Sequence, residues 1–241
     1  MQVVGYRPTP DPVLHLADGG DIETLRLDSD TELAYTLGER HCAGTVQNDH
    51  HVSCSAPRAP KCPSHERPFD ESTLRDRDDE HAVYLAAFAP ATFKVGITRS
   101  ERLETRLEEQ GADRGARVFT VADGDIARDV EEDIGTDLTQ RVRVATKLDG
   151  LGRSVDERAW ERLLDEYEPI ERFDPKYGFT LDETPVPETM ATGTVVGVQG
   201  RVLVLERDGT AYAVDMRDLV GHELTEGADG RERQSSLGSF G

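Results

Sequence analysis

The sequence predicts an α+β protein in which a small mixed sheet with flanking helices lies between an N-terminal β-rich segment and a C-terminal antiparallel β-sheet. Three observations predict this class. Short apolar runs separated by Pro, Gly and Asp turn signals occur at both ends of the chain. Two adjacent apolar runs near the middle precede segments with apolar residues at helical spacing. The 241 residues are enough for one large domain or several small ones.

Residues 1–65 divide into strands and a segment rich in cysteine and histidine. Residues 1–41 contain four runs that predict strands: VVGY, VLHLA, TLRL and TELAYTL. Residues 42–65 hold all three cysteines and few apolar side chains. Because such a segment has little to bury, we expect a bound metal to stabilise it. A charged linker is predicted over residues 66–80.

Four side chains of this segment form the predicted metal ligands: Cys42, Cys54, Cys62 and His65. The spacing of Cys62 and His65 places a thiolate and an imidazole on one tight turn. Three thiolates and one imidazole complete a tetrahedral zinc shell without an open position, which is typical of structural sites. His41, His50 and His51 are alternative ligands or supporting groups. Three unrelated cysteines in a polar loop remain the other interpretation.

A compact α/β unit is predicted over residues 81–182. HAVYLAAF and FKVGIT are expected to be strands joined by the turn APAT, and ARVFTVA is expected to be a third strand. A first helix is predicted from Ser100, as its N-cap, to Gln110, with Gly111 just past its end. A second helix is predicted near 125–140, with apolar residues four apart: Ile126, Val130, Ile134 and Leu138.

A third helix is predicted to begin with Ser154 and Glu157 as a capping box. Its expected buried residues are Trp160, Leu163, Leu164 and Tyr167. After a proline-containing joint, residues 190–226 predict a small antiparallel sheet made of TGTVVGVQG, RVLVLE and TAYAVDM. The sequence leaves open whether these strands pair with those of the N-terminus. Residues 227–241 are predicted to be disordered.

The composition is strongly acidic, with 48 acidic against 28 basic residues and a net charge of −20. This balance, with few lysines, is of the haloarchaeal type and predicts a halophilic cytoplasmic protein; an ordinary acidic protein is the alternative. No apolar run approaches the roughly 20 residues of a membrane span. No secretory signal is visible at the N-terminus, so we expect no membrane partner. Any binding of DNA or RNA must use a local basic patch.

The strand–strand–helix unit resembles the GIY-YIG nuclease domain. AVY at 82–84 lies where that family has its first motif, KVG at 94–96 lies where it has its second, and Arg106 follows on the helix. Over most of its length the chain resembles a family called domain of unknown function 2797. The phrases that carry this second resemblance are VYLA, KVGITR, TRLEEQGA and GVQGRVLVLE.

The resemblance to GIY-YIG enzymes implies phosphodiester hydrolysis by four residues: Tyr84, Lys94, Arg106 and Glu131. It assigns proton handling to a phenol, charge stabilisation to a guanidinium, and Mg²⁺ or Mn²⁺ binding to Glu131. Lys94 stands where the family has a tyrosine, and Ala82 where it has a glycine.

Helix geometry selects among the candidate side chains. Arg106 borders the apolar stripe of the first helix, whereas Arg102 lies further toward solvent. The same argument favours Glu131 over Glu132 on the second helix.

Local charge also favours a phosphate site in this unit. Between residues 94 and 107, four basic and two acidic side chains give a local charge of +2. The predicted phosphate ligands are Arg99, Arg102 and Arg106. The sequence leaves three functions open: a metal-dependent endonuclease, a catalytically inactive module that binds nucleic acid, a nucleotide or a protein, and a zinc-stabilised scaffold. It does not indicate an oligomeric state.

Overall fold

The structure is a computed structural model that describes residues 1–48, 50–66, 79–136 and 138–227. Most of the predicted linker (67–78) and of the predicted disordered tail (228–241) lies outside the described residues. The described chain is a mixed α+β structure with a large, mostly antiparallel sheet, which confirms the predicted fold class. Within the described ranges, no helix has the length and apolar character that crossing a membrane requires.

The described elements follow one another in three groups. The first is β1 (Gln2–Arg7), β2 (Val13–Asp18), β3 (Asp21–Arg26), β4 (Glu32–Arg40), β5 (Thr45–Gln47) and β6 (His50–Val52). The second is β7 (His81–Phe88), β8 (Thr92–Arg99), a 3₁₀ turn (Ser100–Arg102), α1 (Leu103–Gln110), β9 (Arg114–Val121), α2 (Gly124–Ile134), α3 (Val144–Gly150), α4 (Glu157–Tyr167) and β10 (Glu171–Phe173). The third is β11 (Val186–Pro187), β12 (Ala191–Gln199), β13 (Val202–Arg207), β14 (Thr210–Asp215), α5 (Met216–Leu219) and β15 (His222–Glu226).

Strands from both ends of the chain share one nine-stranded sheet. Its order is β11-β14-β13-β12-β4-β15-β1-β2-β3. Strand β4 joins the two halves, because it pairs antiparallel with β12 on one side and with β15 on the other. The N-terminal and C-terminal strands, whose relation the sequence left open, therefore form a single sheet.

The middle of the chain forms a four-stranded sheet of order β10-β9-β7-β8. Strand β7 is buried along its whole length, which explains its nearly unbroken apolar sequence. Its odd-numbered residues, such as Leu85, pack with α2 and α4, while Tyr84 and the other even-numbered residues pack with α1. Alternation along β7 therefore decides which side chains share a face with α1.

The first helix confirms one predicted boundary and corrects the other. Gly111 ends α1 with φ of 71°, in the left-handed region that glycine adopts without steric cost. Ser100 is not a helix N-cap, because it begins the 3₁₀ turn and its Oγ is buried without a hydrogen-bond partner in the described structure. Leu103 and Leu107 are buried against the sheet, as expected.

The second helix is shorter than predicted and is rotated about its axis. Asp123 caps α2 by accepting hydrogen bonds from the backbone of Asp125 and Ile126, and the helix ends at Ile134. Ile126 is 48% exposed, so the prediction that it faces the core is wrong. Ala127 is buried in its place. A run of residues four apart advances by about 40° at each step, so it drifts off the buried stripe.

The cap predicted for the third helix is also wrong. Asp156, rather than Ser154, accepts the hydrogen bond from the backbone N–H of Ala159 and begins α4. Ser154 lies two residues before this N-cap, where its hydroxyl cannot play the capping role. Trp160 and Leu164 are buried as expected. Leu163 and Tyr167 pack partly buried against the same core.

The C-terminal end of α1 touches the turn between β12 and β13 through two glycines. A Cβ placed on Gly200 would lie 2.5 Å from the backbone nitrogen of Gly111. Gln199 donates hydrogen bonds from its amide to the Gly111 carbonyl and to Asp113. This close backbone contact joins the central unit to the nine-stranded sheet.

Candidate functional site

Four side chains from the cysteine-rich segment converge: Cys42, Cys54, Cys62 and His65. Their ligand atoms all lie within 4.8 Å of one another. His65 Nδ1 is 3.4 Å from the sulfurs of Cys42 and Cys62, and the sulfurs of Cys54 and Cys62 are 4.0 Å apart. Tetrahedral zinc bonds imply sulfur–nitrogen edges of about 3.5 Å and sulfur–sulfur edges of about 3.8 Å. The cluster can therefore hold a metal such as zinc.

Local backbone structure fixes these ligands. Cys42 follows the end of β4 closely, and its sulfur accepts a hydrogen bond of 3.2 Å from the backbone N–H of Cys62. The backbone N–H of His65 bonds to the Cys62 carbonyl, which makes the tight turn that the sequence predicted. The amide of Gln2 on β1 donates to the Cys42 carbonyl and thereby ties the segment to the large sheet.

The spare histidines have other partners. His41 Nδ1 lies 2.8 Å from the Cys54 carbonyl and its Nε2 lies 3.3 Å from Glu223. His51 Nε2 lies 3.0 Å from the Ala43 carbonyl. His50 is exposed on β6. Of the two roles that the sequence left open for them, the geometry supports His41 and His51 as groups that hold the backbone around the ligands.

A second cluster lies where β7, β8 and α1 meet. Gln110 at the end of α1 links its members, because its amide nitrogen donates to the Tyr84 hydroxyl at 2.6 Å and its amide oxygen accepts from Lys94 at 2.9 Å. The Lys94 ammonium lies 5.6 Å from the centre of the Tyr84 ring. Since Gln110 donates to the phenol oxygen, the Tyr84 O–H remains available to donate to another group.

Strand pairing brings these side chains to one face. Tyr84 lies opposite Gly96, and Ala86 lies opposite Lys94. The Tyr84 ring covers Gly96 closely, because a Cβ on Gly96 would lie 2.6 Å from the Tyr84 hydroxyl oxygen. A glycine at this position is therefore required for Tyr84 to pack beneath α1, whatever the chemistry of the site.

Burial changes the acid–base behaviour of this cluster. Lys94 is 8% exposed. Burial, together with the charge of Arg106, lowers the pKa of Lys94 to about 8, against the opposing effect of Glu131. Burial raises the pKa of Glu131, and the charge of Lys94 opposes this rise. Burial also raises the pKa of Tyr84, although Gln110 and Arg106 favour its ionised form. The four predicted catalytic side chains thus lie close enough to influence one another's charge.

The three predicted phosphate ligands lie on the surface and are engaged in ion pairs. Arg102 and Arg106 both contact the carboxylate of Glu109, at 2.9 and 3.2 Å. Arg99 immediately precedes the 3₁₀ turn and lies 3.3 Å from Glu101 within that turn. Exposed pairs of this kind contribute little stability and exchange readily for another anion. Arg106 differs from the other two arginines in that its charge reaches both Tyr84 and Lys94.

Two further residues belong to this cluster and were not predicted. Gln110 is one, and Lys147 on α3 is the other. The Lys147 ammonium donates to the Gln110 carbonyl at 2.6 Å and lies 4.6 Å from the centre of the Phe88 ring. Burial lowers the pKa of Lys147 to about 8, and repulsion from nearby cations contributes. The sequence offered one indication of Lys147, because it is one of the few lysines of the chain. It lies in a seven-residue segment that forms a helix.

Comparison with known proteins gives one match. A family model described as Protein of unknown function (DUF2797) matches residues 31–184. The matched region includes the Cys/His cluster and the Tyr84–Glu131 site, and it ends before the C-terminal phrase GVQGRVLVLE. No curated protein and no solved structure matches the chain.

Proposed function

The chain belongs to the family described as Protein of unknown function (DUF2797), and from its geometry we propose a zinc-binding protein that holds nucleic-acid phosphates at a GIY-YIG-like site and cleaves phosphodiesters there. The observation that carries this proposal is the network in which Gln110 joins Tyr84 and Lys94 within reach of the charges of Arg106 and Glu131. Perturbed titrating groups gathered at one place are typical of functional sites.

Each side chain has a role that fits its surroundings. Arg106 is exposed and binds the phosphate, because a guanidinium matches two phosphate oxygens at once. With a pKa of about 8, about a tenth of Lys94 is neutral at pH 7 and can accept a proton from the attacking water. The Tyr84 hydroxyl donates to the phosphate or to that water.

Glu131 is the candidate ligand for Mg²⁺ or Mn²⁺. Such sites often combine one or two carboxylates with substrate phosphates and water, so one half-buried carboxylate beside a phosphate site is compatible with this chemistry. The ion, when bound, would neutralise charge on the phosphate.

A nuclease assay tests this proposal. Metal-replete protein is incubated with labelled DNA and RNA in the presence of Mg²⁺ or Mn²⁺. We expect turnover that Arg106→Ala and Glu131→Gln abolish, while Arg162→Ala, an exposed control on α4, leaves it unchanged. Absence of cleavage of every nucleic acid by the metal-replete protein would rule out the enzyme.

One observation favours a second candidate, a catalytically inactive module that binds nucleic acid, a nucleotide or a protein. Tyr84 is 1% exposed, so an incoming phosphate meets Arg106 before it meets the phenol. Under this alternative, Glu131→Gln leaves binding intact and Arg106→Ala removes it. Metal-dependent turnover would exclude the inactive module.

We assign the Cys/His cluster a structural zinc, because three sulfurs and one nitrogen fill a tetrahedral shell and leave no open position for a substrate. The three cysteines form no disulfide with one another, which supports a reducing cytoplasmic compartment. The charge of −20 supports a halophilic origin, where concentrated salt screens self-repulsion.

A further inference from the structure

A groove of about 750 Å³ lies beside the metal cluster and has a basic wall. It is bordered by β1, by the metal-binding segment and by the start of β13 and the end of α5. Four cationic side chains and one carboxylate line it: Arg58, Lys61, Arg201, Arg217 and Glu66. A local excess of positive charge contrasts with the −20 of the whole chain, so this surface is suited to an anion.

Two of these cations are already neutralised and two are free. Arg58 lies 3.2 Å from Glu66, and Arg201 lies 2.6 Å from Asp215. Lys61 and Arg217 are exposed, and neither forms an ion pair within the described ranges. Their charges are therefore available to a ligand. The buried Nε of Arg201 has no hydrogen-bond partner in the described structure, so this guanidinium retains an unused donor.

An aromatic ring lies among these cations. Tyr6 on β1 is half-buried in the groove wall. Burial raises the pKa of its phenol, and the nearby charges of Arg201 and Arg217 oppose that rise. Alternating cations and an aromatic ring are the elements with which proteins hold single-stranded nucleic acid, since the cations follow the phosphates while the ring stacks on a base.

The groove lies close to the Lys94–Arg106 site. Lys94, Arg106 and Arg201 all repel Lys147, which therefore lies within the electrostatic reach of both sites. The backbone contact between Gly111 and Gly200 places the end of α1 directly against the residue that precedes Arg201. The groove and the phosphate site therefore lie on neighbouring parts of the fold.

We infer that the groove binds the phosphate backbone of a single-stranded nucleic acid that extends from the Lys94–Arg106 site, with Lys61 and Arg217 holding phosphates and Tyr6 stacking on a base. This inference rests on the proposed function for the class of ligand. It adds a second contact region for the nucleic acid, which lies outside the GIY-YIG-like unit. An acidic peptide is the other polyanion that such a groove accepts, and the test separates the two.

Fluorescence anisotropy with labelled oligothymidylate and oligouridylate of about 4 and about 12 nucleotides tests the inference, because this range covers typical single-strand sites. We expect the wild-type protein to bind the longer strand more tightly. Lys61→Glu combined with Arg217→Glu should weaken the longer strand roughly tenfold and lower the salt slope by about 1.4, since each lost contact to a single strand contributes about 0.7. Arg217→Glu alone, which is remote in sequence from the metal ligands, should give about half of this change in slope.

The matched control is Arg158→Glu with Arg162→Glu, a pair of exposed arginines on α4, outside the groove. If the groove variants bind the longer strand as the wild type does, the inference is wrong while the proposed function stands. If they lose binding and Arg106→Glu does not, the groove is supported and the proposed site fails. Absence of binding to either oligonucleotide, or equal displacement of the strand by polyglutamate, would overturn the inference.

Discussion

Burial gives Lys94 the acid–base behaviour that the proposed function requires of it. Where the resembling family has a tyrosine, this chain has a lysine, whose ordinary pKa makes it a poor base near neutral pH. The structure buries this lysine beneath α1 beside Arg106, and its pKa falls to about 8. A general base is most effective when its pKa lies near the working pH. Under the proposed function, Lys94 therefore supplies a titrating group where the GIY-YIG family has its tyrosine.

The pKa of Lys94 leads to a prediction about stability. The folded-state pKa of about 8 lies below the ordinary lysine value of 10.5, so the unfolded chain binds more protons between these pH values. The free energy of unfolding should therefore rise with pH in this window, whereas below it Lys94 is protonated in both states and adds no pH dependence. The contribution is at most about 2 kcal/mol between pH 8 and pH 9.5.

Urea unfolding of the wild type and of Lys94→Met at about pH 7, 8 and 9.5 checks this prediction. We expect the rise with pH to be smaller in the variant. Lys147, whose pKa is also lowered to about 8, should keep part of the rise. Lys176→Met, which removes an exposed lysine, serves as the control. Equal pH dependence in wild type and Lys94→Met would show that Lys94 is fully charged in the folded state at these pH values.

Gly96 gives a second prediction at the residue scale. An alanine Cβ there would meet the Tyr84 hydroxyl at 2.6 Å and the ring carbon beneath it at 2.7 Å. Because Tyr84 is buried on all sides, we expect Gly96→Ala to destabilise the protein by about 1–3 kcal/mol. Adding Tyr84→Leu should reduce this cost, since the two residues are coupled through one contact.

Denaturant unfolding measures both Gly96 variants. Gly5→Ala is the matched control, because a Cβ at Gly5 has its nearest neighbour at an ordinary 3.6 Å and should cost less than about 0.5 kcal/mol. A Gly96→Ala protein as stable as the wild type would mean that the Tyr84 ring moves freely. Such movement would argue against Tyr84 as a fixed member of the proposed site.

The candidate site was predictable from sequence in part. Tyr84, Lys94, Arg106 and Glu131 were found through a textual resemblance and helix geometry, and the structure brings their charges within mutual reach. Gln110 was missed because a glutamine at a helix C-terminus has no distinctive pattern. Its role comes from the side chains that the sheet places in front of it.

At the scale of elements, amphipathic segments were predicted well and their ends were not. Ser154 and Asp156 have similar capping propensities, and local sequence alone does not decide between them. Helix α3 escaped prediction because its seven residues are too few to show a helical period. Short strands such as β10 are defined by pairing with β9, which periodicity does not reveal.

The metal-binding segment gives a prediction at this scale. Within residues 42–65, only Cys42, Ala43, Gly44 and Cys62 are buried among the described residues, so metal bonds should supply most of the stability of this segment. We expect one zinc per chain by native mass spectrometry, and we expect chelation to lower the melting temperature. Cys62→Ser and His65→Ala should each lose the metal.

The control for the metal prediction is His50→Ala, which removes an exposed histidine outside the cluster. It should keep one zinc per chain and the wild-type melting temperature. Full zinc occupancy in Cys62→Ser would contradict the four-ligand site. Retention of the wild-type melting temperature after complete metal removal would contradict the stabilising role while leaving the ligands in place.

At the scale of the whole molecule, the nine-stranded sheet could not be predicted from local patterns. Alternating apolar residues identify a strand and its buried face, but they do not identify its partner. Strand β4 pairs with β12, which lies about 150 residues later along the chain. Such pairings decide where Arg201 lies relative to α1. The proximity of the groove to the Lys94–Arg106 site is therefore a property of the folded molecule and is not visible in the sequence.

The net charge gives the last prediction. Repulsion among 48 acidic side chains weakens the folded state, and it is screened as the Debye length falls from about 10 Å at 0.1 M salt to about 3 Å at 1 M. We expect KCl to raise the melting temperature by roughly 5–10 °C over this range, which corresponds to a gain of a few kcal/mol. A variant with four exposed carboxylates neutralised has a charge of −20 + 4 = −16 and should gain less: Asp129→Asn, Glu132→Gln, Asp133→Asn and Glu166→Gln. Screening is nearly complete at about 1 M salt. If the melting temperature of both proteins instead keeps rising linearly above about 1 M KCl, the cause is a salt effect on the burial of apolar surface.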